Sequence, residues 1–326
     1  MTTKTPKRAP TVLTITLNPA LDHTVEVSGL QVGEVNRALK MQVDVGGKGI
    51  NVASCLADFR VATAVSGLLG SENAALFETL FDAKHIENHF HYLPGLTRIN
   101  TKLVDRASGE TTDVNMPGPC LAADAMAAAN AHLDDCFATL LPHAGWVVLA
   151  GSLPPGWPAE TYARLITAAH SHGAQVVLDA SGAALSAAIA AGPDIAKPNR
   201  SELAELVGHA LPDTAAVVAA ARTLLQNNAA LRMLVVSMGG DGALFIKREE
   251  SVLAHPAPIE PLSTVGAGDA MVAGIVAATL EGASLTQTAR LATAFSAAKL
   301  QRLGPHLPAP ELVRDLAENI TTNTLA

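Results

Sequence analysis

Hydrophobic positions along this chain alternate between short apolar runs and longer stretches with helical spacing. Continuous apolar runs of the length of buried strands occur at residues 12–17, 146–150, 175–179 and 233–237. Apolar residues at helical spacing predict helices at residues 122–141, 159–171, 182–191, 201–207 and 215–226, with a short strand at 194–196. Repeated strand–helix units are typical of parallel sheets with helices on both faces. The sequence therefore predicts an α/β fold with a doubly wound, mostly parallel sheet flanked by helices.

A second pattern, the alternation of single apolar and polar residues, predicts strands outside that sheet. It occurs at residues 23–27, 86–92, 100–104 and 111–116. Residues 43–45 form a further short strand, which leads through a glycine turn into a helix at residues 50–59. We expect these strands to form a small antiparallel β appendage from about residues 23–45 and 86–117.

The C-terminal part of the chain begins with a hairpin and continues with helices. Gly239 and Gly242 lie in a turn between the last buried strand and a partner at residues 243–247. Helical spacing then predicts helices at residues 267–281, 285–302 and 311–318. No repeat or low-complexity linker divides the sequence. We therefore expect one domain at residues 11–320, preceded by a disordered tail at residues 1–10.

Composition and charge narrow the classes of partner. The formal net charge of −8 argues against a surface that binds nucleic acid or an anionic membrane. The longest apolar stretch, residues 270–280, is too short to span a bilayer, and the N-terminus lacks the apolar core of a signal peptide. The three cysteines have neither zinc-site nor disulfide-framework spacing. A reducing cytoplasm is the expected location.

The strongest chemical motif is a glycine turn followed by an aspartate at the start of a helix. Gly266, Ala267 and Gly268 directly precede Asp269 and an apolar helix. Backbone N–H groups that converge at such a turn bind an anion, and the helix dipole adds favourable potential. Asp269 would then lie beside a bound phosphoryl group, where a base for a hydroxyl is needed. Taken alone, these residues also fit an ordinary capped helix.

Further motifs accompany this turn in a fixed order. They are TLNPALD at residues 16–22, GGKGINVA at 46–53, TRIN at 97–100, GSLPPG at 151–156, KPNRSELAEL at 197–206, VSMGGDGA at 236–243 and STVGAGDAMVAG at 263–274. Together they resemble the PfkB family of the ribokinase-like superfamily, and its sugar-phosphate branch in particular, across residues 12–302. The resemblance implies a ribokinase-like fold in which the small β-sheet serves as a lid.

The resemblance also implies a function and its cofactors. Enzymes of this branch use ATP and Mg²⁺, and this sequence is most similar to those that phosphorylate the 6-hydroxyl of fructose 1-phosphate to give fructose 1,6-bisphosphate. Kinases of fructose 6-phosphate or tagatose 6-phosphate share nearly all of these motifs and remain alternatives. A sugar-phosphate sensor without turnover is an alternative from another class, although Asp269 and its glycine turn are intact.

The earlier motifs correspond to the family's sugar side. The positions around the sugar hydroxyls are Asp22, Gly47, Asn51, Asn100 and Ser152. Lys48 and Arg98 match a cationic pair that binds the phosphate already present on the substrate. From the residues alone, Asp22 also fits an Asx turn, and Lys48 or Arg98 also fits a solvated surface charge.

The later motifs correspond to the nucleotide side. The matching positions are Lys197, Asn199, Ser237, Gly239, Gly242, Thr264, Gly266 and Gly268. Asn199 and Glu202 match the pair that organises Mg²⁺, with Glu202 acting through water. The same two residues fit a helix capping box, and one role does not prevent the other. Since lid strands in this family commonly pair two subunits, the resemblance also implies a homodimer through the lid.

Overall fold

The computed structural model describes residues 11–256, 259, 262, 265–302 and 304–325. Its strands are β1 (Val12–Thr16), β2 (Ala20–Val27), β3 (Lys40–Gly46), β4 (Thr63–Gly70), β5 (Glu87–Leu93), β6 (Ile99–Asp105), β7 (Thr111–Val114), β8 (Trp146–Ala150), β9 (Gln175–Asp179), β10 (Ile195–Ala196), β11 (Met233–Ser237), β12 (Ala243–Ile246), β13 (Ser251–Ala254) and β14 (Thr322–Leu325). Its helices are α1 (Lys48–Asp58), α2 (Ala75–Lys84), α3 (Ala123–Leu140), α4 (Thr161–Ser171), α5 (Gly182–Ala190), α6 (Arg200–Val207), α7 (Thr214–Asn227), α8 (Ala267–Leu280), α9 (Leu285–Leu300) and α10 (Pro310–Glu318). The expected tail at residues 1–10 lies outside the described residues.

One large sheet carries the fold, with the strand order β14–β13–β12–β11–β10–β9–β8–β1–β4–β5. Neighbouring strands from β11 to β5 are parallel, and β12, β13 and β14 extend the sheet with antiparallel pairs. The central strands β1 and β8 are buried along their whole length. Their apolar and β-branched residues suit strands that are covered on both faces. The predicted α/β fold with a mostly parallel sheet is confirmed.

Helices cover both faces of this sheet. On one face, α3, α4 and α7 contribute Leu133, Tyr162 and Leu225 to a continuous apolar core. On the other face, α1, α8 and α9 pack around Phe295 and Ile275. Helix α8 is apolar around most of its circumference because it is buried on nearly all sides, between the sheet, α1 and α9. The start of α8, which carries Asp269, is therefore held by rigid packing.

A second sheet forms the lid and has the order β3–β2–β6–β7. Register pairs Asp22 with Asp44 and with Asn100, so these residues share one face. The opposite face carries apolar residues, including the exposed Met41, Val43 and Val114. The lid thus has a polar face and an apolar face.

The structure differs from the sequence prediction in several elements. Residues 86–92 were expected in the lid, but β5 pairs in parallel with β4 at the edge of the main sheet. One side of β5 packs on the core through Phe90, and the resulting alternation is the same as that of a lid strand. β6 also pairs with β2 in parallel rather than antiparallel. β4, α2, β13 and β14 were not predicted; β4 is buried throughout and has no alternation to identify it.

None of the helices in the described part of the chain combines the length and apolar character needed to cross a membrane.

We expect the stability of the protein to be sensitive to substitution where α8 and α9 approach each other closely. A Cβ at Gly274 would lie 2.6 Å from Ala292 Cα and 3.0 Å from Phe295 Cγ. Gly274→Ala should therefore lower the free energy of unfolding by about 1–3 kcal/mol through overpacking, despite the better helix propensity of Ala. Urea denaturation measures this change. Gly145→Ala is the control, because nothing lies within 4 Å of its Cβ position, and equal stability losses in the two variants would contradict this packing.

Candidate active site

The predicted site residues gather where the parallel strands of the main sheet end. Ser152 follows β8, Lys197 follows β10, and Ser237 ends β11. The carboxyl ends of parallel strands meet at one edge of a sheet, where ligands of open α/β folds bind. Asp179 ends β9, between the strands that carry Ser152 and Lys197. The sheet topology therefore collects side chains that lie far apart in sequence.

Asp269 lies in the first turn of α8 and is held by α1. Asn51 Nδ2 donates a hydrogen bond of 2.7 Å to Asp269 Oδ2, and both residues are near the starts of their helices. Asn51 Oδ1 is buried and has no hydrogen-bond partner among the described residues. The pair therefore joins the two helix N-termini and leaves one amide oxygen able to accept a bond from a ligand.

The glycine turn before Asp269 has the conformation that its sequence requires. Gly266 is the N-cap of α8 with φ +78°, a left-handed conformation that a side chain would strain. The first N–H groups of a helix lack intrahelical acceptors, so those of Ala267, Gly268 and Asp269 can bind an anion. A Cβ at Gly268 would lie 3.6 Å from Lys197 Nζ, which places a cation beside the turn.

Two lysines hold a buried carboxylate beneath this turn. Lys48 Nζ lies 3.0 Å from Asp179 Oδ1, and Lys197 Nζ lies 3.4 Å from Asp179 Oδ2. The Asp179 side chain is only 1% exposed. Burial disfavours the charged form of Lys48, but attraction to Asp179 and Asp269 outweighs it, so the pKa of Lys48 is raised. The cluster places two fixed positive charges near Asp269.

Burial sets the protonation behaviour of Asp269. Burial, and to a lesser extent repulsion from Asp179, raise the pKa of Asp269 to about 6. Lys48, the hydrogen bond from Asn51 and Lys197 oppose this rise. A carboxylate with a pKa about 6 is ionised at neutral pH and still accepts a proton readily, as a general base should.

Two residues predicted for the sugar side, Asp22 and Asn100, pair within the lid, and a third, Ser152, is bonded to the loop between β1 and β2. Asn100 Nδ2 donates to Asp22 Oδ1 at 2.9 Å, and Asn18 Nδ2 donates to Ser152 Oγ at 3.2 Å. Burial raises the pKa of Asp22 against the opposing bond from Asn100. Gly47 has φ +126°, and a Cβ there would lie 2.9 Å from Thr16 Cγ2. These side chains offer both donors and acceptors to a hydroxyl-rich ligand.

Lys48 and Arg98, which were predicted to clamp one phosphate, each have partners within the protein. Lys48 pairs with Asp179, as described above. Arg98 donates through Nε to Pro19 O at 3.2 Å, through Nη2 to Asn18 O at 2.9 Å, and through Nη1 to Met116 O. Its guanidinium thus joins two loops, and Lys48 lies on the side of the nucleotide motifs.

Two residues predicted for the nucleotide side, Asn199 and Ser237, lie next to each other. Asn199 and Glu202 form a capping box at the start of α6, with bonds of 2.8 Å in both directions. An isolated parallel bridge joins Asn199 to Ser237. Gly239 and Gly242 bound the turn Gly239–Asp241 that follows β11. Thr264 lies outside the described residues.

A cleft of about 890 Å³ separates the lid from the main sheet. From the lid, Asp22 and Asp44 line it with their polar face, and from the main body Asn51, Gly266 and Lys299 line it. The glycine turn, the Asn51 amide and the lid carboxylates therefore face one space. It is large enough for a small polar ligand.

Two charged residues of this region, Asp179 and Lys299, were not predicted. Asp179 is the last residue of the apolar run QVVLD, and its place at the carboxyl end of a parallel strand was the available signal. Lys299 is the only charged residue in the stretch AFSAAKL of α9. A lone charge in an apolar helix indicates a buried functional or paired group.

Comparisons with known proteins agree with this architecture. Residues 15–312 match the profile described as pfkB family carbohydrate kinase. A 1-phosphofructokinase from Rhodobacter capsulatus is 47% identical over 318 residues, which is 96% of this chain and 98% of the relative. A 1-phosphofructokinase from Xanthomonas campestris pv. campestris is 46% identical over 310 residues, 94% of this chain and 96% of the relative.

Solved structures show the same fold. The crystal structure of phosphofructokinase-2 from Escherichia coli in complex with fructose-6-phosphate has a TM-score of 0.86 at 29% identity, covering 96% of this chain and 99% of that one. A ribokinase from Arabidopsis thaliana, complexed with ribose and ATP, has a TM-score of 0.74 at 21% identity, covering 95% of this chain and 99% of that one. The expected ribokinase-like fold and the family resemblance are confirmed.

The raised pKa of Asp269 predicts a measurable effect on stability. Because the folded state binds this proton more tightly than the unfolded chain, stability falls as the pH rises from about 4 to about 6 and stays lower above that range. Asp269→Asn removes this loss and should raise the free energy of unfolding at pH 8 by about 1–3 kcal/mol. Denaturant unfolding at several pH values measures it.

The gain should shrink as the pH falls through about 6, where the wild-type carboxyl becomes neutral. The exposed Asp315→Asn serves as the control, with an effect within about 0.5 kcal/mol at every pH. A stabilisation by Asp269→Asn that did not depend on pH would contradict the assigned protonation.

Proposed function

The chain belongs to the pfkB family of carbohydrate kinases, and on this premise we propose that it transfers the γ-phosphoryl group of ATP to the 6-hydroxyl of fructose 1-phosphate. The products are ADP and fructose 1,6-bisphosphate. The observation that carries the proposal is the buried Asp269, hydrogen-bonded to Asn51 beside a glycine turn at a helix start. The 1-phosphofructokinase relatives at 46–47% identity support the choice of sugar phosphate.

Asp269 acts as the base in this proposal. Asn51 fixes Oδ2, so Oδ1 accepts the proton of the 6-hydroxyl as its oxygen forms a bond to the γ-phosphorus. The bond from that phosphorus to the β–γ bridging oxygen breaks, and ADP leaves with its electron pair. The pKa of Asp269, about 6, keeps the carboxylate ionised at neutral pH and basic enough to share the proton in the transition state.

The glycine turn and two lysines stabilise the charge of the transferred group. The N–H groups of Ala267, Gly268 and Asp269 are directed to an anion at the start of α8. Lys197 lies beside Gly268, and Lys48 shares the Asp179 carboxylate with it. This supports a role for Lys48 at the transferred phosphoryl group rather than at the phosphate already on the sugar. Such preorganised donors contribute most of the barrier reduction in phosphoryl transfer.

The nucleotide is placed along the carboxyl ends of β10 and β11. Asn199, Ser237 and the turn with Gly239 and Gly242 line its phosphates and ribose, together with Thr264 outside the described residues. In the capping box, Glu202 accepts a hydrogen bond through Oε2. Its negative charge also raises the pKa of Lys48. Both observations support a Glu202 carboxylate that is directed to the phosphates. Asn199 and Glu202 would hold Mg²⁺ through water, and that ion neutralises phosphate charge when bound.

The acceptor sugar lies between the lid and α1. Asp22, Asn51, Asn100 and Ser152 contact its hydroxyls, and Gly47 permits close approach of the backbone. Arg98 remains the candidate for the phosphate on the sugar, because its guanidinium has donors beyond those given to the three carbonyls. The proposed kinase domain extends past the predicted end at residue 320, because β14 pairs with β13 in the main sheet, and its lid is built from β2, β3, β6 and β7. Closure of the lid would exclude water and limit hydrolysis of ATP.

A second candidate acceptor is fructose 6-phosphate. The Escherichia coli phosphofructokinase-2 in complex with fructose-6-phosphate supports it, at 29% identity. Tagatose 6-phosphate is a third acceptor for the same residues. A sensor without turnover requires a damaged base or anion turn, and the intact Asp269 and Gly266 argue against it.

A coupled ADP-release assay tests the function. With MgATP, kcat/KM should be highest for fructose 1-phosphate among fructose 1-phosphate, fructose 6-phosphate, tagatose 6-phosphate and free fructose. Asp269→Asn should lower kcat by about 10²–10⁴-fold with little change in sugar binding, because the base acts only in the transition state. Asp315→Asn should keep the wild-type rate. A preference for fructose 6-phosphate or tagatose 6-phosphate would replace fructose 1-phosphate as the acceptor and keep the kinase reaction. No turnover with any of the sugars would overturn the proposal.

We further propose that the enzyme forms a homodimer through the outer face of the lid. Met41, Val43 and Val114 expose apolar side chains on that face, away from the polar cleft. Exposed apolar patches on a sheet are typical of protein interfaces, and pairing would also cover the lid edges. The three free cysteines and the use of ATP support a cytoplasmic location.

Sedimentation measures the predicted dimer. The wild-type protein should sediment at twice the mass of the chain, and Met41→Glu should sediment as the single chain because a charge cannot be buried in an apolar interface without a partner. Leu312→Glu changes an equally exposed apolar residue of α10 and should leave the dimer intact. A wild-type monomer, or dissociation by both variants alike, would contradict this interface.

A further inference from the structure

We propose that Lys299 is a positioning residue, whose buried ammonium is a fixed positive charge behind the catalytic turn and holds Asp269 in its reactive state. The inference deepens the proposed kinase function and rests on it. Lys299 belongs to the last turn of α9, is 3% exposed, and lines the cleft together with Gly266 and Asn51.

The Lys299 side chain packs against the turn itself. Its Cε lies 3.3 Å from the position that a Cβ would take at Gly266. Gly266 caps α8, and Asp269 lies three residues further in the first turn of that helix. A charge carried on this side chain is therefore close to the N–H groups that would receive the phosphoryl group.

The ammonium is held in place from a second direction. Lys299 Nζ donates to Arg302 O at 3.0 Å. The loop that follows is fixed to α1 and α2, because Lys84 Nζ donates to Pro305 O at 3.1 Å and Leu307 N donates to Asp58 Oδ2 at 2.8 Å. Lys299 thus reaches a carbonyl whose own chain segment is anchored, and its charge has a defined position.

Among the described residues, Lys299 has no close acidic partner of the kind that normally accompanies a buried charge. In the part of the chain that the structure describes, its ammonium makes no ion pair within 4.0 Å, and its described acceptor is a neutral carbonyl. Burial lowers the pKa of Lys299, against weaker attraction from Cys55 on α1, Asp44 on the lid and Asp269 on α8. An uncompensated buried ammonium costs stability. An apolar residue would pack here without that cost, which favours a functional reason for the charge.

Several charged groups act on Asp269 besides Lys299. Asp179 favours the protonated carboxyl, whereas Lys48 and Lys197 favour the ionised form. On the other side of Lys299 lie Asp44 and His306, and the pKa of His306 is lowered by burial and, in smaller part, by neighbouring cations that include Lys299. Removal of the Lys299 charge leaves the other groups unchanged, so the proton affinity of Asp269 should rise.

The test compares Lys299→Met, which removes the charge at similar volume, with Lys299→Arg, which keeps it. The pH dependence of kcat/KM is measured with MgATP and one sugar phosphate, whose own ionisation is common to all variants. In Lys299→Met the rising limb should move to higher pH by roughly half a unit or more, and kcat at pH 8 should fall by about tenfold. In Lys299→Arg, the rising limb of the pH profile should stay at its wild-type position, because the charge is kept. Lys247→Met, at a partly exposed site in another part of the fold where the lysine pairs with Glu250, is the control.

A merely structural role for Lys299, such as a charge at the C-terminus of α9, predicts another outcome. The midpoint of unfolding would fall, activity would drop equally at all pH values and the limb would stay in place. That result would overturn the proposal, as would a limb that moves equally in Lys299→Arg.

A second measurement does not need turnover. The pH at which Asp269→Asn ceases to stabilise the protein should rise when Lys299→Met is also present. If the wild-type protein turns over no sugar phosphate, the kinase proposal fails while this measurement still decides the Lys299 coupling. An unchanged pH in the double variant would overturn the coupling even if the enzyme is active.

Discussion

The site depends on the burial of two carboxylates, Asp179 and Asp269, at the edge of one sheet. Charges without partners are expensive in a protein interior, and two like charges that act on each other are more so. The chain compensates Asp179 directly with Lys48 and Lys197. Among the described residues, Asp269 receives the Asn51 hydrogen bond and attraction from the more distant Lys48 and Lys197. This uneven compensation leaves Asp269 with a raised pKa, which is why we propose it as the base.

The fold supplies this arrangement through its topology. Asp179 and Lys197 follow adjacent parallel strands, so the sheet itself places them side by side. Lys48 and Asn51 belong to the first turn of α1, and Asp269 to the first turn of α8, so two helix starts meet over the sheet edge. The lid contributes the remaining wall of the cleft with its polar face. Its apolar outer face is not used by the site and is the surface that we propose for contact with a second copy.

The elements with local signals could be predicted from the sequence. Buried strands such as β8 and β11, and the helix that begins at Ala267, follow from apolar runs and glycine turns. β5 was assigned to the wrong sheet, because a half-buried edge strand and a lid strand have the same alternation. β4 is apolar throughout and carries no periodic signal. Strand partners depend on distant contacts that no local pattern contains.

The residues of the site, like the elements of the fold, divide into those that local sequence motifs predict and those that depend on distant contacts. Asp269, Asn51 and Asn199 follow from motifs in which the chemistry is local. The ion pair of Lys48 with Asp179 could not be predicted, because it joins the first turn of α1 to the end of β9, and no local pattern contains that contact. Lys299 is contributed by a helix far along the chain and reaches the turn only through the packing of α9 on α8.

The assignment of Asp269 as a base with a raised pKa is tested most directly by observing the protonation of its carboxyl group. Infrared difference spectra of the wild type against Asp269→Asn, recorded over a pH series, isolate the carbonyl stretch of the protonated carboxyl. We expect this band to grow as the pH falls through about 6. A band that develops only near the ordinary aspartate pKa of about 4 would show that burial does not raise the pKa of Asp269, and would contradict its assignment as the tuned base of this site.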